Sequence, residues 1–135
     1  MTVTKLLDSE GKFRVVKEGG SFNIVATLKD AGDPASTVTT VSTITLDLFD
    51  KATLTTINSH SGTDINNANN ASFSSGTLTV EFDPSDNTIV DTARVPEGEK
   101  EEHIARITFT YSDGNTTRTG IEEFSFFVER AYTPS

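Results

Sequence analysis

Two histidines and a crowded set of carboxylates are the residues of this 135-residue chain whose types could do chemistry. His103 falls in the inward phase of a strongly alternating stretch, where an imidazole held in a low dielectric could sense pH or bind a ligand. Its plainer role is a half-buried ring donating to a backbone carbonyl. His60 lies in a polar stretch, and no ligand spacing links it to His103, so a metal pair is not expected. Asp83, Asp86, Asn87 and Asp91 place four oxygen donors within nine residues, chemistry that suits a hard cation such as calcium. The calcium-hand loop is missing, however, and Asp83-Pro84 with Asp86 read more simply as turn and cap residues. Neither a Gly-x-Ser-x-Gly elbow, a His-Glu-x-x-His pair nor a phosphate-cradling glycine loop occurs, and there is no cysteine to serve as nucleophile or thiolate ligand. The expectation is a protein that is not an enzyme, with no catalytic residue, no metal and no cofactor.

Partner chemistry is bounded by charge. Twenty Asp and Glu against eleven Lys and Arg give a net charge of -9, which repels a phosphate backbone, so no nucleic acid is expected as a partner. Apolar runs such as Phe126-Phe127-Val128 stop at three residues, far short of a bilayer span, and no membrane partner is expected. The opening MTVTKLLDSEGKF lacks the apolar core of a secretory signal. What remains is protein contact. Phe49, Phe73, Phe127 and Tyr132 lie off the clean inward phases and are candidates for an interface. The acidic run containing Glu97, Glu99 and Glu101, through Glu102, is either a solvated loop or the counterpart of a basic partner, with Arg94 pairing locally. The first seven residues and the tail from Ala131 to Ser135 either fray or reach a neighbouring subunit.

The elements that must position these side chains are strands. Threonine, 22 residues of the chain, favours extended backbone through its branched Cβ. Alternation predicts strands over 12–17 (Phe13 and Val15 in phase), over 21–30 (Phe22, Ile24, Ala26, Leu28), and through Ile44, Leu46 and Leu48. The turn-forming stretch Asp30-Ala31-Gly32-Asp33-Pro34 separates the last two. A short fourth strand is expected around Leu54 and Ile57. Residues 58–76 form the long polar loop, in which Asp64 caps a single helical turn through Asn70 with Ile65 and Ala68 inward. Leu78, Val80 and Phe82 restart the sheet before the Asp83-Pro84 break, and residues 88–100 connect one sheet to the other. His103, Ala105, Ile107, Phe109 and Tyr111 share one phase, Ser112-Asp113-Gly114-Asn115 turns a hairpin, and Phe124, Phe126 and Val128 return on a common face. About seven strands, spaced roughly every ten residues with no convincing amphipathic helix, predict a single all-β domain over residues 1–135. Its expected form is an antiparallel two-sheet β-sandwich, immunoglobulin-like, with a jelly roll as the alternative strand order.

Three stretches carry a resemblance. Ile44-Thr45-Leu46-Asp47-Leu48-Phe49-Asp50 running on to Ile57-Asn58, the link Asp86-Asn87-Thr88-Ile89-Val90-Asp91, and the strand Glu101 to Tyr111 with its His103-Ile104-Ala105 resemble small β-sandwich structural proteins of tailed bacteriophage virions, over most of residues 40–128. The resemblance implies a virion location and a capsid decoration or cement protein. Its partners would be other virion proteins, such as the major capsid protein or neck and tail proteins, and it would be a homo-oligomer on the particle. A neck or tail attachment component is the neighbouring alternative. A carbohydrate-binding or adhesion module is a further one, which the lack of tryptophan counts against. The resemblance transfers no active-site residue.

Overall fold

The computed structural model describes residues 3–5, 14–30, 32–33 and 36–134; Phe13, Ala31 and Pro34 lie outside them, as do residues 1–2, 6–12, 35 and 135. The strands are β1 (Val3–Lys5), β2 (Val15–Lys17), β3 (Phe22–Thr27), β4 (Thr43–Asp50), β5 (Thr63–Asp64), β6 (Ala71–Ser74), β7 (Thr77–Phe82), β8 (Lys100–Ser112) and β9 (Thr117–Glu129). The only helical turn among the described residues is a 3₁₀ turn at Pro84–Asp86. One sheet runs β1-β9-β8-β4-β5, with β2 also beside β9, and the other runs β3-β7-β6. The protein is therefore an all-β, two-sheet structure. The pairing is not wholly antiparallel: β1 and β2 both lie parallel to β9. A parallel neighbour needs a long connection, and the first and last strands of a chain have one.

The buried layer follows the alternation. Along β4, Ile44, Leu46, Leu48 and Asp50 point inward, and along β8 so do His103, Ala105, Ile107, Phe109 and Tyr111. From the smaller sheet come Phe22, Ile24, Leu78, Val80 and Phe82. The two layers meet through aromatic rings: Phe22 stacks on Phe82 at 5.0 Å and meets Phe126 of β9 edge-on at 4.9 Å, and His103 meets Phe126 at 5.7 Å. At the far end Phe109 covers Gly120, its partner in the β8–β9 register. A Cβ on Gly120 would fall 2.2 Å from the Phe109 ring.

Between β4 and β7 the chain departs from expectation. Leu54 and Ile57 form no strand; Phe49 and Thr56 make one isolated bridge. Leu54 is 70% exposed with left-handed backbone, while Ile57 is buried. The turn is set instead by the Asp50 carboxylate, which accepts from the Thr53 amide and hydroxyl at 3.0 and 2.7 Å. The polar stretch holds two short strands, β5 and β6, and no helical turn. Asp64 is in β5, and Asn67, Asn69 and Asn70 take left-handed backbone, a conformation asparagine tolerates and a helix does not. Ile65 is inward as expected, but Ala68 is only half-buried.

Candidate functional site

β4, the 87–95 connection and β8 converge on a buried polar cluster. Asp50 closes the inward phase of β4 directly opposite His103 in the β4–β8 register, and Glu101 sits two residues before His103 on the same face. Glu101 is the hub: its carboxylate accepts from the amides of Val90 and Asp91 at 2.8 and 3.1 Å, from Arg94 Nη2 at 3.1 Å, and from His103 Nε2 at 2.5 Å. The same Arg94 nitrogen reaches Asp50 Oδ2 at 3.0 Å, and Arg94 Nε lies 3.6 Å from Asp91. Arg94 thus pairs with Asp91 and, beyond its near neighbour, with Asp50.

His103 is fully buried and its partner is the Glu101 carboxylate, not the expected backbone carbonyl. Burial holds its pKa below the ordinary 6.5, a shift that the hydrogen bond and charge of Glu101 oppose but do not cancel. The geometry agrees. His103 Nδ1 and Asp50 Oδ1 are buried without a hydrogen-bond partner, and an unpartnered lone pair on Nδ1 costs less than an unpartnered cationic N–H. Asp50, Glu101 and His103 could each offer one ligand atom to a metal, all within 4.8 Å of one another. Arg94 already supplies a cation to both carboxylates, so the cluster as built is an internal ion network.

A second network lies at the Asn58 corner. Asp86 Oδ1 accepts from Asn58 Nδ2 at 2.8 Å and meets His60 Nε2 at 2.7 Å, while His60 Nδ1 meets the Thr63 hydroxyl at 3.0 Å. Asp83 and Asp86 cap the 3₁₀ turn reciprocally, Asn87 donates to the Gly20 and Asp83 carbonyls, and Asp91 Oδ1 accepts from the Ala93 and Arg94 amides. The four oxygen donors weighed for a cation are thus cap and turn groups, and His60 and His103 belong to separate networks.

The candidate contact residues divide. Glu97 and Glu99 are exposed beside Tyr132, which is 70% exposed and lies against Gly98. Arg130, the residue that leads into the tail, is pinned there: Gly98 N donates to Arg130 O, Arg130 N donates to Glu99 O, and Arg130 Nη1 reaches the carbonyls of Thr92 and Val95. Half-buried Phe127 joins this end, lining a pocket of about 430 Å³ with Lys51, Arg94, Lys100 and Glu102. Phe49 is elsewhere, half-buried on the outer face of the larger sheet with the Arg106 guanidinium 5.2 Å over its ring. Two placements are corrected. Glu101 is not exposed with the other glutamates, because the strand phase turns it inward to its four donors. Phe73 packs partly buried against the core, because β6 presents it on the inner side of the smaller sheet.

Asp50, Lys51 and Lys100 escaped sequence reasoning. For Asp50 a signal existed: it extends the phase of Ile44, Leu46 and Leu48, and a carboxylate in an apolar phase requires a partner. Compared with known protein families, curated proteins and solved structures, the chain finds no match. Its class is given by its own geometry: an all-β, two-sheet protein with a buried ion network at one end.

Proposed function

We propose that the protein is a non-enzymatic structural component of a tailed-bacteriophage virion, acting through repeated protein–protein contacts as a capsid decoration or cement protein. One observation carries the reading: the three stretches that resemble such proteins are the ones the polar networks join. Asn58 ties the first stretch to Asp86 in the second, and Glu101 of the third takes the Val90 and Asp91 amides of the second. Their polar residues serve as cross-links of the scaffold, so the groups left for function are those on its surface.

An immunoglobulin-like strand order is part of the proposal. It is supported by the sheets β1/β2-β9-β8-β4-β5 and β3-β7-β6, which correspond to the A′-G-F-C-C′ and B-E-D arrangement of that fold. It is further supported by Glu101, which reaches back to the upstream backbone from a position two residues before the inward His103, as the corner tyrosine of immunoglobulin domains does. The acidic surface limits association in free solution, while many copies on a particle gain avidity from modest contacts.

The test is a protein inventory of purified particles carrying this gene, followed by imaging of those particles. The expected result is many copies on the capsid exterior. A few copies confined to the neck or tail would assign the attachment role instead, and absence from particles together with binding on a glycan array would replace the reading with an adhesion module.

A further inference from the structure

We infer that two copies of this chain pair through the end of the sandwich where β8 begins and β9 ends, each seating its acidic 97–99 loop in the other's basic, Phe127-lined pocket. The inference rests on the proposed reading of the protein as one that acts through protein–protein contacts.

The pocket concentrates positive charge on an acidic molecule. Lys51 and Lys100 line it together with Arg94, whose charge is already taken up by Asp50, Asp91 and Glu101, against the two carboxylates of Asp50 and Glu102. Both carboxylates are engaged internally. Asp50 faces Arg94 and Thr53, and Glu102 accepts from the Ser125 hydroxyl at 2.7 Å. Lys51 meets Glu102 only at 3.4 Å and is half exposed. Lys100 feels Glu129 at longer range, but Lys17 already holds that carboxylate at 2.6 Å. An incoming carboxylate therefore finds Lys51 held only loosely by Glu102 and Lys100 attracted to Glu129 only at longer range.

The complementary group is next door. Glu97 and Glu99 are exposed, and their loop is fixed by the Gly98 and Arg130 backbone bonds, so little ordering is lost on binding. Because loop and pocket sit side by side, a two-fold axis delivers each loop to the partner pocket in one isologous contact. It also brings exposed Tyr132 toward the aromatic lining of that pocket, where an aromatic anchor adds to the charge contact.

Sedimentation velocity on the full chain, over a range of protein and salt concentrations, tests this. The expected result is a dimer that forms with concentration and dissociates as salt screens the contact. The Lys51→Glu/Lys100→Glu variant and the Glu97→Lys/Glu99→Lys variant should each associate more than about tenfold more weakly. An equimolar mixture of the two should regain the dimer, which a folding defect could not produce. A parent that is monomeric at every concentration, or a mixture of folded variants that stays monomeric while the parent dimerises, overturns the pairing. Particle inventory is read separately, so a protein present on virions yet monomeric in solution separates failure of the pairing from failure of the proposed function.

Discussion

Glu101 accepts four hydrogen bonds and Arg94 bridges two carboxylates with one nitrogen, so the stability of this end depends on a few polar atoms. Removing one partner of a buried ion network is costlier than never having built it, because the remaining charges stay desolvated. Arg94→Met should therefore destabilise the fold by about 2 kcal/mol, below the range for fully buried pairs because the guanidinium is partly exposed. Adding Asp50→Asn to it should cost less than the sum of the two single changes; urea denaturation of the three variants checks this. A pH dependence also belongs to this scale. His103 binds a proton less readily folded than unfolded, so its contribution to stability is complete above its unfolded pKa of 6.5 and is lost as pH falls below it. Thermal melts should show stability falling from pH 7 toward pH 5, and His103→Gln, which keeps a donor for Glu101 without titrating, should flatten that slope. Asp113 lies in a different window. Amides of Thr116 and Asn115 and the Arg118 guanidinium hold its carboxyl below the ordinary 3.8, so its share is lost only in stronger acid.

Most strands with one apolar and one polar face were readable, but over 12–17 the phase is the reverse of the one expected, with Val15 42% exposed and Val16 buried. The phases of Phe22 to Ile24, Ile44 to Leu48, Leu78 to Phe82 and His103 to Tyr111 all point as alternation predicts, because a one-residue slip would expose the whole set. Elements held by local polar geometry were not readable. Leu54 and Ile57 mimic a strand, yet the turn there is dictated by the Asp50 side chain, and the 58–76 stretch is shaped by left-handed asparagines in place of a repeating apolar face. Parallel placement of β1 and β2 beside β9 leaves no mark in alternation either. The site divided in the same way: His103 was visible as an anomaly in an apolar phase, while the pocket formed by Lys51 and Lys100 depends on register between strands about fifty residues apart. Packing at this scale can be tested at the β8–β9 ladder. Gly120→Ala should cost about 1 to 3 kcal/mol by driving a methyl into the Phe109 ring, and Phe126→Ala about 3 to 5 kcal/mol by opening a cavity among Phe22, Phe82 and His103. Chemical denaturation measures both, and unchanged midpoints would reject the assigned core.

At the scale of the whole molecule, charge and topology act together. A net charge of -9 opposes unspecific association of free copies, and the lysine-lined pocket beside Phe127 is a local exception to it. The ion network, the anchored Arg130 and the 97–99 loop all gather at that same end, so a contact made there meets a well-braced part of the fold.

The parallel seating of β1 and β2 against β9 has a mechanical consequence. When the two chain ends are drawn apart along the strand direction, the rungs Val15 to Phe127, Val16 to Val128 and Lys17 to Glu129 are loaded together in shear and cannot peel one at a time. Held near one terminus and tugged near the other, the domain would thus resist as a clamp.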